Sequence, residues 1–385
     1  MTKVISYKNP ELTTVKDNKA VWNLPKTRRY GYRNLHKINR YGLFLRSDLV
    51  LKLKKKYKDT IYKKPLVKKM TKHKSFCSLI VGNKQNIYFE KYAKDFTENQ
   101  PQTIMSITKM FVNLFVGELL NNKSINLDKK VSYYLPKIGS GYANAKVQDV
   151  LNMNVINAYT EDYTKAYSSS FLHEPVGGWR LPKNSDKHLS QEDYLNTIKS
   201  KKNRNLKNKS NLAFYKSANT DVIGLIVEKI SGKPLRHWML RAVEAAGFEE
   251  GIYIASDRYG MPWMSGGGCL ITRDFLRMGL LFARKGKGVG NRRIGSASFL
   301  DQTVKNVGPK YMNLSENKYL YYSNSTMVSG NIIGHSGYGG QFLAVNLKTG
   351  NVAAFFSVLE TKSATKESYK VDMINMLIDI VNTKY

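Results

Sequence analysis

The clearest periodic pattern in the chain runs from Ser106 to about Asn121, SITKMFVNLFVGELLN. Its apolar positions Ile107, Met110, Phe111, Leu114, Phe115 and Leu119 recur at helical spacing. Further apolar residues lie between them, which predicts a helix buried nearly all round. Thr220 to Ser231, TDVIGLIVEKIS, predicts a second buried helix with Thr220 as its N-cap and Gly232 at its end. A third helix is expected from Thr272 to just before Gly286, and a last amphipathic one over about 367–382. Strand patterns lie outside this helical stretch. FCSLIVG and IYFEKY, joined by the turn-forming GNKQN, predict a hairpin over 76–92. GQFLAVNLKTGNVAAFFSVLE predicts two strands joined by a turn at Lys348–Asn351. Strands near both ends with helices between imply a sheet completed by the two termini.

Charge then changes the picture. The chain has 385 residues and a formal charge of +33. The charge is densest in the first seventy-five residues, as in KLKKKYK at 52–58. That region is expected to be a basic extension packed on the rest of the molecule. A surface of this kind suits a polyanion or an anionic membrane. No zinc-finger or RNP pattern accompanies it, so nucleic acid is disfavoured. Lysines are spread along the whole chain, and a solvated lysine surface explains them better. The two cysteines, Cys77 and Cys269, match no redox or metal spacing, and the six histidines include no zinc pair. No cofactor is expected. The N-terminus lacks an apolar leader and no long apolar run is present, so a cytoplasmic location is expected.

The candidate chemistry starts at Ser106-x-x-Lys109. A serine hydroxyl needs a base, and a lysine can serve if burial lowers its pKa. The same spacing occurs at Ser315–Lys318 and Ser363–Lys366, but neither pair opens a long apolar helix. Tyr215 precedes the second helix, and a phenol can relay a proton. His335-Ser336-Gly337-Tyr338-Gly339-Gly340 runs into a strand and offers close backbone approach. The stretch GHSGY imitates a nucleophile elbow but lacks the fifth-position glycine, enters a strand, and has no histidine after it.

Together these segments resemble the serine β-lactamase and penicillin-binding-protein superfamily. The nearest branch is that of class C-like esterases and 6-aminohexanoate-dimer hydrolases. PQTIMSITK, FYKSANTDVIGLIVEKISGK, MSGGGCLITRDFLRMGLLF and IIGHSGYGGQ carry the likeness, which covers about residues 76–380. The resemblance implies an α/β fold of the α+β type, β-lactamase/transpeptidase-like. An antiparallel sheet lobe would comprise about 76–105 and 250–385, with a helical lobe inserted at about 106–249. It implies that Ser106 is acylated, that Lys109 is its base and that Tyr215 protonates the leaving group. His335, Ser336 and Gly337 would form a strand edge at the site. The N–H groups of Ser106 and Tyr338 would form an oxyanion hole.

Departures from the β-lactamase pattern shape the expected function. Tyr215-Lys216-Ser217 stands where class C enzymes carry Tyr-x-Asn, and His335 stands where lysine is usual. Both favour a hydrolase of esters or linear amides over β-lactams. Ser217 and the loop 159–180, with Glu161, Asp162, Tyr163 and Trp179, are the candidate substrate contacts. β-Lactamase or DD-peptidase activity, and a non-catalytic polyanion binder on the same fold, are the competing readings.

Overall fold

The computed structural model describes residues 4–12, 21–165, 167–182, 190–201 and 208–385. Residue 166, within the candidate loop 159–180, lies outside them. In chain order the strands are β1 (Gly42–Leu45), β2 (Lys54–Lys55), β3 (Phe76–Asn83), β4 (Asn86–Tyr92), β5 (Gln102–Thr103), β6 (Ile252–Ala255), β7 (Gly268–Leu270), β8 (Lys310–Ser315), β9 (Lys318–Ser323), β10 (Thr326–Ser329), β11 (Ile332–Gly337), β12 (Gln341–Asn346) and β13 (Asn351–Ser357).

Among the described residues the main sheet has nine strands, ordered β2-β4-β3-β13-β12-β11-β10-β9-β8. Residues 76–92 form the expected hairpin, and β3 pairs antiparallel with β13 from the other end of the chain. The two termini therefore complete one sheet. β3, β12 and β13 are almost wholly buried, because helices cover both faces. The helix Thr272–Ala283 covers one face against β3, β12 and β13. The C-terminal helix Glu367–Asn382 covers the other, with the helix Pro65–Lys72 beside it. Such burial on both sides explains why β12 and β13 read as continuous apolar runs without alternation.

Four features depart from the expectations. The helix expected from Thr220 begins at Ser217, so Thr220 is an interior residue and the cap position falls to Lys216. The stretch from Ser106 starts as a 3-10 turn, Met105–Lys109, and becomes α-helical only over Met110–Asn121. Strands β8 to β10 had no counterpart in the sequence pattern. Finally, β1, β5, β6 and β7 form a separate small sheet, with β1 contributed by the basic N-terminal region. That region also supplies β2 on the edge of the main sheet and the helix Arg28–Ile38. Among the described residues no helix is long and apolar enough to cross a membrane.

Asp274 ties the small sheet to the helix that covers the large one. Its buried carboxylate accepts the backbone N–H groups of Glu249 (2.8 Å), Glu250 (2.9 Å) and Gly251 (3.1 Å), just ahead of β6. It also accepts Arg277 Nη1 at 2.9 Å. Truncation leaves several amides without an acceptor and takes from buried Arg277 one of its two carboxylates, the other being Glu249 at 2.9 Å, so Asp274→Ala is expected to cost about 3 kcal/mol. Urea unfolding of the variant beside the parent measures this, and a loss below about 1 kcal/mol would contradict the assignment.

Candidate active site

Backbone conformation sets the position of Ser106. β5 leads into Met105, which has φ +49°, a left-handed conformation that costs a side-chain-bearing residue energy. Neighbouring threonines hold it there. Thr103 Oγ1 accepts Met105 N–H at 3.2 Å. Thr108 Oγ1 donates to the Met105 carbonyl at 2.7 Å and accepts the Gly268 N–H at 3.0 Å. The chain then enters its 3-10 turn, in which residues three apart eclipse one another. Ser106 and Lys109 therefore stand in register, one above the other.

Lys109 is fully buried, and its Nζ lies 3.0 Å from Ser106 Oγ and 3.2 Å from Ser217 Oγ. It also donates to the Ser265 carbonyl. All three direct partners are neutral. Burial pushes the amine below its usual 10.5, while the charges of Glu161 and Asp221 oppose that shift. A neutral amine here can donate to the carbonyl and offer its lone pair to the serine proton.

The helix Ser217–Ser231 brings the next groups. Ser217 donates its backbone N–H to Glu161 Oε2 (2.6 Å) and its hydroxyl to Oε1 (2.5 Å). Glu161 also accepts the phenol of Tyr163. One turn on, buried Asp221 accepts the Ser265 N–H at 3.0 Å, fixing the residue whose carbonyl holds Lys109. Burial raises the Asp221 carboxyl, and Ser265 and Lys109 partly offset this. Tyr215 precedes this helix. Lys109 Nζ lies 5.1 Å from the centre of its ring. Burial holds its phenol well above 10, so it is a proton donor at neutral pH.

The glycine-rich segment closes the other side. Beyond Gly334, β11 pairs, among the described residues, only with β12, leaving the edge at His335–Gly337 turned to the Ser106 segment. A Cβ at Gly337 would stand 2.6 Å from the Ile104 carbonyl oxygen, so glycine is required for this approach. Gly339 has φ +95°, and Tyr32 lies beneath it, donating its phenol to the Tyr338 carbonyl at 3.0 Å. His335 points away, beneath the site. Its ring nitrogens meet Tyr322 Oη (3.1 Å) and the Ser336 carbonyl (2.8 Å), and burial holds it neutral.

Two cavities meet at Ser106, both bordered by Glu161, Tyr163 and Tyr338. The larger, about 290 Å³, extends past Tyr215, Tyr311, Ser336 and Gly337 to the start of the C-terminal helix. The smaller, about 50 Å³, is walled by Trp22, Phe171, Trp179 and Trp263 and also bordered by Ser217. The sequence candidates thus converge with two exceptions. His335 borders neither cavity, and Asp162 caps its own turn through Thr164 (2.6 Å) and pairs with Lys165 (3.4 Å). Sequence reasoning missed Asp221, although an acidic residue four positions after Ser217 in an apolar helix marks the same face. It also missed Trp22, Ser265 and Tyr311, which no local pattern distinguishes. Among the described residues no cluster of histidine, cysteine and acidic side chains is arranged to hold a metal ion.

A family model described as Beta-lactamase matches residues 77–372. The 6-aminohexanoate-dimer hydrolase of Paenarthrobacter ureafaciens is 28% identical over 224 residues, 56% of this chain and 54% of that protein. The match therefore spans about half the length of that relative. A Bacillus anthracis structure provisionally named as a 6-aminohexanoate-dimer hydrolase superposes with a TM-score of 0.77 at 20% identity, covering 96% of this chain and 98% of that one. A family VIII carboxylesterase superposes at 0.60 with 13% identity, covering 83% and 97%. The structural likenesses establish a common fold.

Because only the neutral amine can accept a proton, Ser106 reactivity is expected to rise with pH through the Lys109 pKa, which lies below 10.5. Asp221→Asn removes a charge that favours the ammonium, so the rising limb should move to lower pH. The rate of labelling by a fluorophosphonate against pH measures both. A limb that stays in place or moves upward in the variant would contradict this electrostatic account.

Proposed function

The chain belongs to the β-lactamase family, and from that premise we propose that it is a serine hydrolase which forms an acyl-enzyme on Ser106 and cleaves an ester or a linear amide. The observation that carries this reading is the 3.0 Å contact between a buried Lys109 amine and the Ser106 hydroxyl. Lys109 takes the serine proton as Oγ attacks the substrate carbonyl. The N–H groups of Ser106 and Tyr338 stabilise the resulting oxyanion. As the tetrahedral species collapses, the bond to the leaving group breaks. Tyr215 gives that group its proton and recovers one from the Lys109 ammonium. Water then attacks the acyl-enzyme. It gives one proton to the same base pair, and Ser106 regains its hydrogen as the acid departs.

Ester or amide substrates are favoured over β-lactams. The glycine-rich segment opens with His335, which is buried, neutral and turned from the cavity, so it offers a substrate no charge. The curated relative's name, a hydrolase of a linear amide dimer, points the same way. Glu161 and Tyr163 border the cleft, and the aromatic pocket beside Trp179 suits an apolar acyl group.

A p-nitrophenyl ester is expected to give a burst of one product equivalent per protein, and a fluorophosphonate should label Ser106. Ser106→Ala should lose both while retaining its fold by circular dichroism. Labelling that persists in Ser106→Ala would remove this residue from the chemistry. Lys109→Ala should lower acylation about 10³-fold, the typical contribution of a general base. Rapid nitrocefin turnover would instead support a β-lactamase.

A further inference from the structure

Lysines occur along the whole chain, yet the fold gathers many of them on one side. Residues 52–74 carry eleven lysines and one acid, Asp59, a net +10 of the chain's +33. Ten of the eleven lysines are exposed. Among the described residues only Lys64 and Lys69 of this group have acidic partners, Asp379 at 2.8 Å and Asp372 at 2.6 Å. The backbone beneath them is fixed. Lys54, Lys56 and Lys58 donate their N–H groups to the carbonyls of Gln85, Ile87 and Tyr88, each at 2.8 Å. The helix Pro65–Lys72 buries Val67, Met70 and Thr71 toward β3 and the C-terminal helix, which turns Lys68, Lys69 and Lys72 outward. The lysines on β2 guard this sheet edge from pairing with another chain. Edge protection does not explain Lys68, Lys69 and Lys72, which stand on a helix. None of residues 52–74 borders the cavities at Ser106.

Aromatic residues on the same side indicate which anion fits. Tyr57 is 53% exposed and Tyr62 39%. Tyr62 stacks on Phe89 with ring centres 6.3 Å apart, and the Lys91 ammonium stands 4.7 Å from its ring centre. Its ring is taken up by the protein and is no open platform for a nucleic-acid base. None of the eleven cations is an arginine, the residue that grips a phosphate through two parallel hydrogen bonds. Lysine point charges with amphipathic phenols among them suit the diffuse negative potential of a lipid headgroup layer. We propose that residues 52–74 form a peripheral docking face for an anionic bilayer. The lysines supply the attraction, and Tyr57 and Tyr62 lie at headgroup level. The chain rests on the lipid surface through this face, and no described helix inserts across it.

Partition of the full chain onto sedimented vesicles tests this. At about 0.1 M salt, phosphatidylcholine vesicles with about one-third phosphatidylglycerol should bind it about 100-fold more tightly than phosphatidylcholine alone, since each lysine near such a surface contributes roughly fivefold. The preference should fade as salt rises. Lys54→Gln/Lys55→Gln/Lys68→Gln/Lys72→Gln should lose most of it, and Lys54→Arg/Lys55→Arg/Lys68→Arg/Lys72→Arg, which keeps the charge, should retain it. With +33 on the whole chain, general attraction of anions must be separated from a local face. Lys123→Gln/Lys137→Gln/Lys229→Gln/Lys233→Gln removes equal charge at exposed positions between residues 106 and 249, and should bind within about threefold of the parent. Tyr57→Ser should weaken vesicle binding severalfold with the charge unchanged. Circular dichroism checks that each variant is folded. Equal partition onto the two kinds of vesicle overturns the proposal. So does a preference lost as much in the distant variant as in the local one. A single-stranded RNA that displaces the vesicles at equal phosphate concentration, with Tyr57→Ser binding vesicles like the parent, overturns it too and makes the face a nucleic-acid site.

Discussion

A lysine amine buried among neutral oxygens is the constraint around which this molecule is arranged. An ammonium removed from water loses its hydration, and only good geometry compensates. Lys109 receives that geometry from distant parts of the chain: Ser106 on its own turn, Ser217 at the start of a helix, and the Ser265 carbonyl ahead of β7. Among the described residues no carboxylate touches it, which would have secured a permanent charge. Glu161 and Asp221 act instead through intervening groups, Ser217 and Ser265. Burial therefore lowers the amine's pKa against those two charges, as its proposed role of proton acceptor requires.

The same arrangement accounts for local oddities. Met105 takes an unfavourable backbone angle because the small sheet and two threonines over-determine it, and the angle turns Ser106 toward the cleft. Gly337 lacks a side chain because β11 must pass within van der Waals distance of the Ile104 carbonyl. The overall charge of +33 is a separate matter from this chemistry. It lies chiefly on exposed lysines, and the fold's interior electrostatics are set by a handful of acids and arginines such as Asp274 and Arg277.

Much of this was legible in the chain itself. The helical periodicity after Ser106, the terminal hairpins and the spacing of three motif segments pointed to the fold and to Ser106, Lys109 and Tyr215. Periodicity failed where burial does not follow it. β8 is a half-exposed edge strand, and β9 and β10 are rich in tyrosine, serine and threonine, so neither alternation nor an apolar run marked them. Threonine is a good cap, so the local pattern favours a helix start at Thr220, but Glu161, remote in sequence, satisfies the first-turn N–H of Ser217 and moves the start upstream. Asp162 was grouped with Glu161 and Tyr163 by adjacency, and only the turn decides that it faces Thr164. Contacts of that kind depend on chain crossings that no local pattern encodes.

The N-terminal region has a further meaning once Tyr32 and Arg28 are placed. Tyr32 supports the Tyr338 carbonyl, and buried Arg28 grips the carbonyls of Leu359 (2.7 Å) and Thr361 (2.6 Å), in the connection that follows β13. Trp22 forms part of the pocket wall beside Trp179. All three precede residue 77, where the match to the family begins. The floor of the cleft is thus laid by a segment outside the residues that the family model matches. Divergence in that segment can reshape what the cleft admits while the reacting groups stay fixed.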